Sequence, residues 1–275
     1  AEGYLAEALE KIESPGHDEL ALAALPYLVG LNAALSGQFE VARTALKMAS
    51  RESKTLGLEA LDFYIRHYKA MAVRYLNDHR RSDQLLTEME IAIKRYLHSD
   101  NYHLRSFHLA SKAYHAFLTK RSRQALEWAC QALTFRNRAG GEIYVIQCHL
   151  ILGTILREVG NYKDAEFQLL QALSRNQATG SKYFEASCYI QLALVYEMAD
   201  NEENMKHFIN QALELAAGKS YYHFFMWRDD LMIRFINLAR NVSSHQGYLE
   251  ELIQRRSLLM GESENPAVGV HLEPV

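Results

Sequence analysis

The stretch Leu152-Gly153-Thr154-Ile155-Leu156-Arg157-Glu158-Val159-Gly160-Asn161-Tyr162-Lys163-Asp164-Ala165, continued by Leu169, Ala172 and Leu173, decides the fold. Gly153 lets one helix approach its neighbour closely, and Gly160-Asn161 turns the chain. Ala165 and Ala172, seven apart, give the returning helix a small face, while Leu169 and Leu173 fill the groove. Two packed antiparallel helices need that order of small and large residues. The Gly153 slot recurs: Val73, Ala113, Gly153 and Ala193 stand 40 residues apart, and Gly30 lies 43 before Val73. A period in this range predicts an all-α, right-handed superhelical solenoid of stacked antiparallel helix pairs. Such an array produces an extended curved surface.

The other copies keep the layout. The fifth has Leu192-Ala193, Tyr196, Asp200-Asn201, Met205, Ile209, Ala212 and Leu213; the first has Val29-Gly30, Gly37-Gln38-Phe39, Ala42, Leu46 and Ala49. The third places Ala113, Ala125, Ala129, Ala132 and Leu133 in register. The second is the weakest, with Val73, Leu76, Leu85, Met89, Ala92 and Ile93. The pattern resembles the tetratricopeptide repeat, lengthened from about 34 residues to 40.

Helix pairs are expected at 17–35 and 38–53, 56–77 and 82–97, 100–118 and 122–137, 141–158 and 162–178, and 182–198 and 202–217. A longer helix over 221–241 and a short one over 246–258 follow. Residues 3–13 read as the second helix of a truncated earlier repeat, so the repeat domain spans 1–258. Pro26 predicts a kink or a helix start. Residues 259–275, with two prolines and two glycines from Gly261 onward, read as a linker or tail. A chain that begins without methionine in mid-repeat and ends in a linker reads as a domain cut from a longer protein.

Composition excludes several classes. A net charge of −3 argues against a nucleic-acid surface spread over the chain, and no run of about 18 apolar residues crosses a membrane. Cys130, Cys148 and Cys188 lie apart without a CxxC spacing, which fits a reducing cytoplasm. His103, His108 and His115 share a helix without the i,i+4 spacing of a metal pair, and Glu202-Glu203 complements a helix start. No nucleophile–base pair, metal set or phosphate loop supports an enzyme.

Tyr221-Tyr222-His223-Phe224-Phe225-Met226-Trp227-Arg228-Asp229-Asp230-Leu231-Met232, followed by Gly247-Tyr248-Leu249-Glu250-Glu251-Leu252-Ile253-Gln254-Arg255-Arg256, resembles the end of the helical-repeat region in MalT-like regulators. These are STAND-class, LuxR-type, ATP-dependent bacterial transcriptional activators. The resemblance implies a sensor or scaffold module between an upstream ATPase and a downstream effector domain. ATP and DNA would belong to those parts, with no cofactor bound by this piece. The module would receive a small polar inducer or a partner protein or peptide. The alternative is a stand-alone adaptor of the co-chaperone type, though Tyr27 and Leu31 stand where its basic and asparagine clamp would begin.

In proteins that resemble this stack, the first helix of each pair lines the concave groove. The Val73 register then offers His67, Arg74 and Asn77 from the second repeat and Phe107, Tyr114 and Phe117 from the third. Gln147 and Arg157 come from the fourth, Glu197 from the fifth, and Trp227 and Arg234 from the long terminal helix. Aromatic faces beside fixed polar groups suit sugars, peptides and polar inducers. Arg74 and Arg157 would grip a carboxylate or phosphate. The competing reading packs Phe107 and Phe117 into the narrow inner side and pairs Asp230 with Arg234.

Overall fold

The computed structural model describes residues 19–96 and 101–258. Five helix hairpins follow one another: α1 (Glu19–Leu35) with α2 (Phe39–Thr55), α3 (Glu59–Tyr75) with α4 (His79–Tyr96), α5 (Tyr102–Leu118) with α6 (Ser122–Ala139), α7 (Glu142–Glu158) with α8 (Tyr162–Thr179), and α9 (Lys182–Met198) with α10 (Glu202–Lys219). A shorter pair, α11 (Asp229–Val242) and α12 (Gln246–Arg256), ends the array. No strand occurs among the described residues. The helix expected over 3–13 and the tail from 259 lie outside them. Pro26 sits inside α1 and neither starts nor ends it.

Each hairpin turn is chemically specified. At Gly160 the backbone takes φ +81°, which glycine tolerates without strain. There the Gly160 N–H bonds the Arg157 carbonyl at 3.0 Å and the Asn161 N–H bonds that of Leu156 at 3.0 Å, closing the last turn of α7. The Asn161 side chain then accepts from the Asp164 N–H and caps α8. Gly37, Asn77, Lys120 and Asp200 occupy the same turn position, all with positive φ.

Those turns correct the register of the second repeat. Seven residues before them stand Gly30, Ala70, Ala113, Gly153 and Ala193, so the small slot belongs to Ala70 and not to Val73. The irregular interval lies in the α4–α5 connection: α5 begins at Tyr102, 23 residues after α4 begins at His79. The corresponding intervals Phe39 to Glu59, Ser122 to Glu142 and Tyr162 to Lys182 are all 20. Ala70 and Val73 are both buried, one turn apart on the same face of α3. Apolar periodicity therefore cannot separate them.

Close approach in the pairs is steric. A Cβ on Gly153 would stand 2.7 Å from Leu169 Cγ and 3.1 Å from the Ala165 carbonyl oxygen. Gly30 faces Leu46 in the same way, at 2.5 Å. Gly153→Ala is expected to destabilise by about 1–3 kcal/mol, overpacking outweighing alanine's higher helix propensity. Urea unfolding followed by circular dichroism checks this, and a stabilised variant would contradict it.

The first helices of the hairpins form the inner layer, and beyond α1, which leaves Leu20, Leu28 and Asn32 exposed, they are largely buried. From Val145 to Arg157 on α7, Gln147 alone is not fully buried. Outer helices bury one stripe only, as α8 does with Ala165, Leu169, Ala172 and Asn176. Inward-facing aromatics, among them Phe63, Tyr68, Phe107, Tyr114 and Phe184, join one core that runs through all the hairpins.

The helix expected over 221–241 begins only at Asp229. Ser220 closes α10 in a left-handed conformation, and residues 221–228 run as irregular chain. His223 through Trp227 are all buried there. Asp229-Asp230 consequently lies in the first turn of α11, where carboxylates complement the helix dipole, and not further along a helix. Arg256, at the end of α12, reaches the Gly37 carbonyl in the α1–α2 turn at 2.8 Å. The first and last described helix pairs are thus tied together.

Candidate functional site

Residues 221–228 are strapped across the inner helices, meeting α1, α3, α5 and α7 at their C-terminal ends and α9 in its N-terminal half. Tyr75, at the end of α3, donates its hydroxyl to the Trp227 carbonyl at 2.7 Å and shares a 2.7 Å hydrogen bond with the Tyr114 hydroxyl. Ser187 Oγ on α9 accepts from the Phe225 N–H at 3.0 Å. His223 donates Nδ1–H to the Leu35 carbonyl at 3.0 Å. Arg228 reaches Glu158 at 2.8 Å, donates to the Phe117 carbonyl at 3.3 Å and lies over the Phe117 ring at 4.7 Å. One stretch of irregular backbone therefore touches the first, second, third, fourth and fifth hairpins.

Of the residues expected in the groove, the structure brings Tyr114, Phe117 and Trp227 together at this strap, with Arg157 near Arg228, while Glu197 and Arg234 pair between α9 and α11. Trp227 is 1 % exposed, stacked on His223 (5.2 Å) and Phe224 (6.1 Å), and donates Nε1–H to Asp229 at 2.6 Å. It fills the interior from the strap and not from a helix. Arg234 pairs with Glu197 at 2.6 Å; the expected Asp230–Arg234 pairing gives way to Asp230 with Lys120 (3.0 Å) and Arg228 (2.6 Å). Burial lowers the Arg157 guanidinium to about 10, with Glu158 opposing.

The others lie elsewhere. Phe107 is core, edge-on to His67 at 4.8 Å and to Tyr64 at 4.7 Å. Arg74 is 5 % exposed and already engaged, donating Nε–H to Ser82 Oγ (3.1 Å) and His115 Nδ1 (3.0 Å) and pairing with Asp83. Its expected role as a bidentate anion grip gives way to tying α3, α4 and α5 together. Asn77 is an exposed turn residue, and Gln147 is half-buried on α7. The corrected register explains Asn77, which falls three places past the end of the inner lane.

Burial dominates the electrostatics. It lowers His67 and His223 to about 3 and His108 to about 4, and carries His115 well below the ordinary imidazole value. Nearby positive charge adds to the effect at His223 (Arg256) and His115 (Arg74). No group of three metal-ligating side chains occurs among the described residues. A separate cleft of about 400 Å3 opens between α2, α3, α4 and α5, with Ser53, Asp62, Phe63, Arg66, Ile93 and Leu104 among its walls. None of the expected residues lines it.

Sequence reasoning missed Tyr75, Glu158, His223, Arg228 and Arg256. The available signal was Tyr221–Trp227 itself: seven large side chains in succession have no polar face, so a surface helix could not carry them.

No family model matches the chain, and no curated protein does. Solved structures do. A Rap protein complexed with Competence and Sporulation Factor is similar at 16% identity and TM-score 0.68, over 92% of this chain and 69% of that one. The STAND-class signal-transduction ATPase with a tetratricopeptide-repeat sensor from Pyrococcus horikoshii is similar at 18% identity and TM-score 0.56, over 87% of this chain; the chain spans 37% of that protein. Yeast Tom70 is similar at 15% identity and TM-score 0.51, over 91% of this chain and 49% of that one. The fold is therefore a tetratricopeptide-like solenoid. No helix among the described residues is long and apolar enough to cross a membrane.

Proposed function

We propose that this chain is a non-catalytic, cytoplasmic interaction module that receives a partner peptide or protein on the inner side of its solenoid. It would serve as the sensor of a longer MalT-like, STAND-class, ATP-dependent transcriptional regulator. The observation that carries the reading is the strap's seat. Side chains of the second and fifth hairpins, Tyr75 and Ser187, hold irregular backbone by its own C=O and N–H groups, which is how an extended peptide is bound. The similar Rap protein, complexed with Competence and Sporulation Factor, supports a bound partner, and the Pyrococcus ATPase with its tetratricopeptide-repeat sensor supports the sensor role. ATP and DNA would be handled by other domains of such a regulator, and the stand-alone adaptor is the second reading.

The candidate contacts narrow to Tyr114, Phe117, Arg157 and Glu197, joined by Tyr75, Glu158 and Ser187. A thermal-shift screen of the chain against peptides, sugars and nucleotides tests the reading. Peptides are expected to raise the melting temperature, because a ligand of the folded state stabilises it. Stabilisation by ATP alone would place nucleotide binding in this chain and sink the assignment.

A further inference from the structure

We infer that the edge beneath residues 221–228 is a peptide-docking site held shut in cis by those residues. In trans it would take an extended peptide with two bulky aromatic side chains followed by an arginine. The inference rests on the interaction-module reading and names its site and the chemistry of its partner.

The strap is the template. Its backbone is held at the Phe225 N–H by Ser187 and at the Trp227 carbonyl by Tyr75. Contacts of that kind do not depend on the bound side chain. Two features of the seat set the preference. Phe225 packs against Tyr114 at 5.5 Å and Phe184 at 5.6 Å, an aromatic pocket. Arg228 lies between the Glu158 carboxylate and the Phe117 ring, a pairing that favours a planar guanidinium.

Three observations mark the strap as a displaceable occupant and not a permanent part of the core. Met226 is buried with φ +62°, a conformation that strains a residue bearing a Cβ. Buried polar atoms without a hydrogen bond collect at the contact: His223 Nε2 on the strap, Arg256 Nε behind it, and the Tyr183 hydroxyl and Arg157 Nε on the repeats. The last two stay with the site when the strap leaves, so a peptide that reaches them gains bonds the strap does not make. Lastly, α12 clasps the strap from outside, Tyr248 donating its hydroxyl to the Tyr221 carbonyl at one end and Arg256 covering Trp227 at the other. Arg256 lies over the Trp227 ring at 5.0 Å and the Phe39 ring at 5.1 Å, and bonds Gly37.

Arg256→Ala in the full chain tests this, since it loosens the strap without touching the seat. Hydrogen exchange in the strap is expected to rise at least tenfold while α9 stays protected. A fluorescent peptide with the strap's order, His-Phe-Phe-Met-Trp-Arg, is expected to bind the variant at least tenfold more tightly than the parent. Adding Glu158→Gln is expected to remove most of that gain. If Arg256→Ala does not fold, Arg228→Gln opens the strap from its other end with the same expectations. The inference is overturned if strap and α9 exchange together, or if the strap opens and this peptide still does not bind. It is also overturned if the variant pairs into dimers, because a second copy is then the occupant. Other peptides binding while the strap stays protected would remove this inference and leave the proposed function standing.

Discussion

Trp227→Ala is expected to destabilise the chain by about 3–5 kcal/mol, the range for deleting a fully buried large aromatic. In a chain of this size that is a fall in melting temperature of about 10 °C. Trp227 is enclosed by His223, Phe224 and the Arg256 guanidinium. Removing the ring leaves a cavity in the middle of the strap and deprives Asp229 of the indole N–H. Loss should be uneven, because solenoid stability is a sum of local and neighbouring terms. The α11–α12 pair and the strap are expected to open before the central hairpins. The chain holds two tryptophans, and Trp128 lies on outer helix α6, so it reports the central array once Trp227 is gone. Urea titration by circular dichroism and by Trp128 fluorescence should then give separated transitions. A cost below about 1 kcal/mol would mean that the strap is not seated as described.

The second large effect is acid sensitivity. His67, His108, His115 and His223 are held neutral in the folded chain with lowered proton affinity, burial being the first cause at each. Unfolded, each would titrate near its ordinary value of about 6.5. Between there and the folded values near 3 to 4 the unfolded chain binds more protons, so stability falls as pH falls through that window. From pH 7 to pH 5 the loss is about 2 kcal/mol per buried histidine, and above about pH 7 the effect vanishes. Urea unfolding at a series of pH values measures it, and His223→Gln should remove about one histidine's share. A stability that does not change between pH 7 and pH 5 would show that these imidazoles are not held neutral.

Much of this was legible in the residues. Turn chemistry at Gly160-Asn161 and small slots at Gly30, Gly153 and Ala193 are local requirements, and they placed the ten helices of the five hairpins within a few residues of their observed bounds. Register in the second repeat was not legible from apolar pattern alone. Ala70 and Val73 share a face, and only the positive φ at Asn77 chooses between them. The candidate site divided along the same line. Tyr114 and Phe117 reach the strap because the third repeat keeps its register. Asn77 was misplaced with the second repeat, and Arg74 proved to be spent on Ser82, Asp83 and His115, contacts between helices that spacing does not report.

The sequence by itself determined the hairpins and their succession, because close packing and left-handed turns are set by residues only a few positions apart. Tertiary structure alone decided that the array curls until Arg256 meets Gly37, and that Tyr221–Arg228 leaves helical geometry to fill the inner edge. The physical reason is sequence separation. The strap's partners lie at Leu35, Tyr75, Phe117, Glu158 and Ser187, one from each hairpin. No local preference encodes a meeting of five helices so far apart in sequence; it arises when stacking curves the inner layer enough to bury a run of aromatics that no helix face could hide.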